Sequence, residues 1–155
     1  MLFRSSPDYL KPFQIFSFES SSTIAAVLLQ KNKEGSEQPI AFFSKVLRDA
    51  KLKYNILEKQ VYALVKSLKY FMTYVLHSQV VAYVPNSAVK YVLVQSDVEG
   101  KIGKWISKIQ EYDLDIKHTK LVKGQVLAKL LTESNFQALG INLLAPLDEV
   151  AEEND

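Results

Sequence analysis

The segment NILEKQVYALVKSLKYFMTYVL, residues 55–76, has the clearest periodic pattern of this chain. Its apolar residues recur at the three- and four-residue spacing that places them on one face of an α-helix. Asn55 is a good N-cap residue, and Glu58 three positions later can bond back to the cap amide. The segment contains neither Gly nor Pro. It therefore predicts one long amphipathic helix with a buried apolar face.

Gln60 interrupts this apolar face. It lies about one turn from Leu57 and one from Leu64, so it points at, or beside, the element on which the helix packs. If the fold is that of an enzyme, a polar side chain at such a position is a candidate catalytic residue. The alternative is a rim glutamine hydrogen-bonded to backbone, because buried polar groups normally have partners. Both interpretations stay open from the residues alone.

The composition excludes several classes of protein. With 155 residues the chain can bury a single core and form one domain. It has no Cys, which excludes disulfides, zinc fingers and thiol catalysis. It has neither a secretory h-region nor an apolar run of about 18 residues. We therefore expect a soluble intracellular protein with no membrane partner, in the cytoplasm or the nucleus.

The charges are unevenly distributed although the net charge is only +2. Between Lys101 and Lys129 the lysines outnumber the acids, whereas the last eight residues are strongly acidic. A basic body with an acidic tail permits a polyanionic partner. The alternative is that the lysines form an ordinary solvated face.

The remaining segments give the order β-β-β-α-β-α-α-β-α. Two prolines make residues 1–12 irregular, the domain is expected over residues 13–134, and residues 135–155 are expected to form a tail with an acidic end. Elements in this order can form a single sheet with helices on its faces. The predicted strands are 13–19, 22–30, 38–47, 79–84 and 114–118, and the predicted helices besides 55–76 are 87–95, 100–113 and 125–134.

Several short blocks in this order resemble the RNase H domain of gypsy-type LTR retrotransposon polyproteins, particularly the divergent plant sort. The resemblance covers roughly residues 9–135. It implies an RNase H-like α/β fold, in which three antiparallel strands are followed by parallel additions to make a five-stranded mixed sheet flanked by helices. The blocks are AAVLLQ (25–30), QPIAFFSKVL (38–47), KYNILEKQVYALVKSLKYF (53–71), YVLHSQVVAY (74–83), SAVKYVL (87–93), GKIGKWISKIQEYDLDIKHTK (100–120) and VKGQVLAKLL (122–131).

The resemblance also carries a catalytic pattern. Active members hold two divalent metals with four carboxylates, because hard cations such as Mg²⁺ prefer oxygen ligands. The first of the four carboxylate positions falls on Phe18, and Glu19 is the acid nearest to it. A shift of one residue along a strand turns a side chain to the opposite face of the sheet unless a bulge intervenes. The resemblance thus implies no intact catalytic or metal site and no cofactor. The four carboxylate positions read Phe18, Gln60, Pro85 and Lys129.

A second set of residues suits nucleic acid. Lysines give affinity for backbone phosphates without sequence choice. Trp105 could stack on a base, but its place on an apolar helix face favours a core role. His77 and His118 are not at metal-ligand spacing and are expected at the surface or at strand ends. The candidate phosphate-binding residues are Lys101, Lys104, Lys108, Lys117, Lys120 and Lys123.

Three functions are consistent with the sequence. The first is a catalytically inactive RNase H-like domain of a retrotransposon reverse transcriptase, which keeps the scaffold and binds RNA:DNA hybrid or duplex. The second is an active Mg²⁺-dependent hybrid ribonuclease, an endonuclease with rearranged acids. The third is a protein-interaction or structural remnant without a nucleic-acid role. The polymerase domain of a parent polyprotein is a candidate partner; the oligomeric state and the preference between hybrid and duplex stay open.

Overall fold

The computed structural model describes residues 7–93 and 100–118. The strands are β1 (Phe13–Glu19), β2 (Thr23–Lys31), β3 (Glu37–Val46), β4 (Gln79–Val84) and β5 (Asp113–His118). The helices are α1 (Ile56–Tyr70), α2 (Met72–Val75), α3 (Ser87–Leu93) and α4 (Gly100–Ile109), and a 3-10 turn spans Asp49–Lys53. The predicted helix 125–134 and the tail 135–155 lie outside the described residues, as does the end of the helix predicted over 87–95.

The five strands form one mixed sheet in the order β3-β2-β1-β4-β5. The first three strands are an antiparallel meander. The crossover through α1 then brings β4 parallel to β1, and β5 adds in parallel to β4. Parallel neighbours need such a long connection, because a short turn can only reverse the chain. This architecture confirms the fold class predicted from the sequence.

The β2–β3 pairing contains one irregularity. Leu28 pairs with Ala41, but Leu29 pairs with Pro39, so the register shifts between them. Pro has no amide hydrogen to give to a strand ladder and is found on edge strands or at bulges. β3 is an edge strand of the described sheet and accommodates it.

The start of α1 is fixed by a capping box, as predicted. The Asn55 side chain accepts a hydrogen bond from the Glu58 amide at 2.7 Å, and the Glu58 carboxylate accepts one from the Asn55 amide at 2.9 Å. Residues 59–68 of the helix are buried without interruption. They pack on β1 and β2 and form the main core with residues such as Phe13, Ile15, Ala26, Leu28, Val61, Leu64, Leu68, Val80 and Ala82.

Two helix predictions were too long. The helix predicted over residues 55–76 ends at Tyr70 because the Phe71 backbone leaves helical values, with φ −91° and ψ 12°, while its ring is fully buried. The chain resumes as the short α2, which buries Val75. The helix predicted over 100–113 ends at Ile109 and gives way to a turn, so that Asp113 can begin β5. Amphipathic spacing did not indicate either ending.

Candidate functional site

The strand β1 and the helix α1 meet at a pair of polar side chains. Gln60, only 8% exposed, donates a hydrogen bond from Nε2 to Oε1 of Glu19 at 3.1 Å. The other amide atom of Gln60, Oε1, is buried and has no hydrogen-bond partner. Gln60 therefore does point at the sheet, as expected from its place on the helix. Its hydrogen bond is to a side chain, so the alternative of a backbone-bonded rim glutamine is wrong.

Glu19, and not Phe18, is the end residue of β1 that faces α1. β1 pairs with β2 in continuous register up to Glu19, so its side chains alternate without a bulge. Phe13 and Ile15 contribute to the core under α1, and Glu19 shares their face. Phe18 falls on the opposite face together with Phe16. The expectation that Glu19 is turned away from Gln60 is therefore wrong, because the alternation along β1 places Glu19 on the face of the sheet that α1 covers.

Lys59 lies beside this pair and was not found by sequence reasoning. It is 8% exposed, and its Nζ donates to the backbone carbonyl of Ser21 in the β1–β2 turn. That bond ties the turn to the first residues of α1. A lysine in the first turns of a helix is common in sequences, so only the contact in the folded structure shows what Lys59 does.

The two remaining positions that are predicted to have lost a carboxylate lie on different parts of the chain. Pro85 directly follows β4, which runs parallel to β1. Glu19 and Pro85 therefore lie at the carboxyl-terminal edge of neighbouring strands, the edge where a ligand site of such a sheet is expected. Lys129 lies outside the described residues.

The described side chains at this edge do not fit a pair of divalent cations. Two such ions need several oxygen ligands, most of them anionic. Glu19 supplies one carboxylate, Gln60 supplies a neutral amide whose nitrogen bonds that carboxylate, and the Pro85 side chain has no ligand atom, so only one anionic ligand is present. Within residues 7–93 and 100–118, no group of three His, Cys, Asp or Glu side chains is placed to hold a metal ion.

The candidate phosphate-binding lysines are placed by α4 and β5. Lys104, Lys108 and Lys117 are exposed. Lys101, with a side chain 45% exposed, forms an ion pair of 3.0 Å with Glu58. Lys120 and Lys123 lie outside the described residues. The structure thus leaves three of the described candidates on the surface and engages the fourth with the start of α1.

The Lys101–Glu58 contact joins α4 to the capping box. The hydrogen bond from the Asn55 backbone lowers the pKa of Glu58, burial opposes this, and Lys101 lowers the pKa further. Lys101 Nζ also lies 4.3 Å from the centroid of the Tyr54 ring, a cation–π distance. Lys101 is therefore a cation held in place by two partners.

Trp105 lies in the core. It is 7% exposed, and its ring centroid lies 5.6 Å from that of Tyr54 and 5.5 Å from that of Tyr62. This confirms the expected core placement. His77 and His118 are both exposed, as expected. None of the helices in the described part of the chain is long and apolar enough to cross a membrane.

The family follows from comparison with known proteins. A family model for the RNase H-like domain found in reverse transcriptase matches residues 8–112. This chain belongs to that family. The RNase H-like domain is 28% identical over 127 residues to the Pol polyprotein of the Drosophila melanogaster transposon opus, covering 81% of this chain and 12% of the relative. For the transposon 297 of the same organism the identity is 27% over 132 residues, with 83% and 12% covered.

Further relatives agree on the retrotransposon origin. The Tf2-3 polyprotein of Schizosaccharomyces pombe is 24% identical over 116 residues, which cover 72% of this chain and 9% of that protein. The RNase H-like domain thus spans about an eighth or less of the length of these polyproteins.

Solved structures confirm the fold. A foamy viral protease-reverse transcriptase in complex with double-stranded DNA aligns with a TM-score of 0.60 at 21% identity, covering 74% of this chain and 21% of that one. An RNase H1 isolated from compost by a metagenomic approach aligns with a TM-score of 0.55 at 12% identity, covering 85% and 99%. At these identities the likeness establishes the shared architecture.

Proposed function

We propose that this RNase H-like domain no longer cleaves RNA and acts as a duplex-binding module of a retroelement reverse transcriptase. The observation that carries the first half is the Gln60–Glu19 hydrogen bond. A carboxamide replaces the second acid of the site and occupies the remaining carboxylate, which leaves too little negative charge for two divalent ions. In this proposal the domain spans residues 13–134 and is similar to the divergent plant sort of the family, and Gln60, Pro85 and Lys129 are positions that have lost a metal-binding carboxylate.

The second half rests on the surface cations. Lys104 and Lys108 project from α4, and Lys117 from the edge strand β5, all exposed. Exposed lysines contact phosphates without reading sequence, so either an RNA:DNA hybrid or a DNA duplex would bind. The domain spans a small part of its polyprotein relatives, which supports the polymerase domain of the same polyprotein as a second partner.

The test is one titration with a labelled RNA:DNA hybrid and a matched DNA duplex, in Mg²⁺ and in Mn²⁺, over a range of salt concentrations. We expect binding that weakens as salt increases and no cleavage in either metal. Lys104→Gln combined with Lys108→Gln should reduce the slope of log K against log salt by about 0.9 for each phosphate that the variant no longer neutralises. Lys33→Gln, an exposed lysine in the β2–β3 loop, is the matched control and should leave the slope unchanged.

Each of three outcomes would contradict a different part of the proposal. Metal-dependent cleavage that Glu19→Gln abolishes would establish the active ribonuclease with rearranged acids. If neither nucleic acid binds, the remaining hypothesis is a protein-interaction or structural remnant without a nucleic-acid role. Binding with the same salt slope in the α4 variant and the wild type would remove α4 from the interface.

A further inference from the structure

Three exposed lysines lie along one side of α4. Lys101, Lys104 and Lys108 are three and four residues apart, so they share a face of the helix, and we call them the α4 stripe. At a rise of about 1.5 Å per residue the stripe is roughly 10 Å long. One strand of duplex DNA carries a phosphate about every 3.4 Å along its axis, so a length of this size holds about three phosphates.

One lysine of the α4 stripe is engaged by a carboxylate of α1. Lys101 Nζ lies 3.0 Å from Oε2 of Glu58. The Lys101 side chain is 45% exposed and that of Glu58 is 20% exposed, so the ion pair lies at the surface. Exposed ion pairs are weak, because water and salt screen the two charges. Another anion can therefore replace Glu58 as the partner of Lys101 at little cost.

The ring of Tyr54 holds the Lys101 ammonium in place independently of Glu58. Lys101 Nζ lies 4.3 Å from the centroid of this ring, where the negative face of the ring attracts a cation. The Tyr54 ring is itself packed against Tyr62 and Trp105, each at 5.6 Å between centroids. An ammonium that gives up Glu58 thus keeps its second partner. Because its position is already fixed, it loses little freedom when it binds another anion.

The Glu58 carboxylate is also fixed in position. Its Oε1 accepts a hydrogen bond from the Asn55 amide at 2.9 Å, while its Oε2 contacts Lys101. A carboxylate oxygen held against an ammonium group makes the same charge-assisted contact that a phosphate oxygen would make. It neutralises one of the three cations of the α4 stripe and repels a phosphate that approaches the same place. Both effects oppose the binding of a polyanion at this end of α4.

We propose that Glu58 competes with the backbone phosphates of a bound duplex for Lys101, and that this competition limits the affinity of the domain for nucleic acid. The inference rests on the proposed duplex binding by Lys104 and Lys108 and extends that surface to a third lysine. In the wild type, Glu58 keeps Lys101 from neutralising a phosphate. A chain without the charge of Glu58 gains that contact, because the ammonium already lies on the same side of α4 as the other two.

Glu58→Gln tests the competition and keeps the start of α1. Glutamine at this position also closes a capping box, so the hydrogen bond from the Asn55 amide is retained while the charge is removed. In a titration of the full chain with a labelled DNA duplex, the variant should bind about fivefold more tightly than the wild type, the factor that corresponds to an exposed ion pair of about 1 kcal/mol. The slope of log K against log salt should become steeper by about 0.9, for one additional neutralised phosphate.

Two matched variants separate this competition from a general gain in positive charge. Glu111→Gln removes the same charge from an exposed residue that follows the other end of α4, and it should leave the salt slope unchanged because it adds no phosphate contact. Glu58→Gln combined with Lys101→Gln has the net charge of the wild type. This double variant should lose the gain in affinity and the gain in slope, since both depend on Lys101. Circular dichroism of each variant verifies that the fold is retained.

The possible failures can be told apart. A wild type that binds duplex and a Glu58→Gln variant with the same affinity and slope would overturn the competition and leave the proposed function intact. Equal gains in Glu58→Gln and Glu111→Gln would also overturn it, because the effect would then be one of total charge. A gain that persists in the double variant would exclude Lys101 as the contact and overturn it as well. If neither the wild type nor Glu58→Gln binds duplex, the proposed function is overturned, and this inference with it.

Discussion

Replacing Gln60 by Glu tests the electrostatics of the candidate site directly. The substitution keeps the shape of the side chain but converts the hydrogen bond to Glu19, 3.1 Å long, into a contact between two carboxylates. A hydrogen bond to a charged group contributes about 1.5–3 kcal/mol. Repulsion between two unit charges at such a distance reaches about 5 kcal/mol at an effective dielectric constant near 20, and it is smaller here because Glu19 is partly exposed. We expect Gln60→Glu to lose about 2–4 kcal/mol of unfolding free energy at pH 7.

The deficit should depend on pH. Two adjacent carboxylates share a proton, which raises the apparent pKa of the pair above the ordinary glutamate value of about 4.3. A raised pKa in the folded state means that the folded variant binds more protons than its unfolded chain. Its stability relative to the wild type is therefore lowest at neutral pH and recovers as the pH falls through the raised pKa.

The assay is urea unfolding followed by Trp105 fluorescence between about pH 4 and pH 8, where linear extrapolation gives the free energy. Gln60→Met is the matched control, since it removes the hydrogen bond without adding charge and should show a smaller, pH-independent loss. A Gln60→Glu variant as stable as the wild type at pH 7, or one with a deficit that does not change with pH, would refute the contact between Gln60 and Glu19.

Three further predictions concern contacts outside the Glu19–Gln60 pair. Glu58→Gln should be less stable than the wild type at pH 7 and as stable as the wild type in acid. The pKa of Glu58 is lowered in the folded state, so the stabilisation by its carboxylate is lost as the pH falls through that pKa. Urea unfolding at neutral and at acidic pH measures the difference. Trp105→Ala should lose about 3–5 kcal/mol of unfolding free energy, measured by thermal unfolding, because the ring is buried. Trp105→Phe should bind duplex as the wild type does in a titration. Weaker binding by the Phe variant would indicate that Trp105 stacks on a base. Tyr112→Phe should lose about 1 kcal/mol through the hydrogen bond from its hydroxyl to the Leu68 carbonyl. Burial raises the pKa of Tyr112, so wild-type stability should fall above about pH 10 more steeply than that of Tyr112→Phe, measured by unfolding at alkaline pH.

Most of the fold could be predicted because its signals are local. The cap at Asn55, the alternation in the strands and the breaks at turn residues each depend on neighbours in sequence. Helix ends at Tyr70 and Ile109 were misplaced because they depend on what the following residues pack against. Tertiary packing sets those limits, and periodicity alone does not contain it.

The candidate site was less predictable. The placement of Gln60 followed from helical spacing, but matching β1 to Phe18 turned Glu19 to the wrong face, since a one-residue error on a strand reverses every side chain. The contact between Lys59 and the Ser21 carbonyl had no signal in the sequence. These residues lie on different elements, and only folding makes them neighbours.

The two edges of the described sheet differ from its interior in how they meet other chains. An open strand edge offers unpaired amides and carbonyls on which a second molecule can add its own strand. On β3 the register shift at Pro39 interrupts that template, and on β5 the exposed Asp113, Asp115 and Lys117 place charges along it. Both features make it less favourable for a second copy to add a strand at the described edges of the sheet.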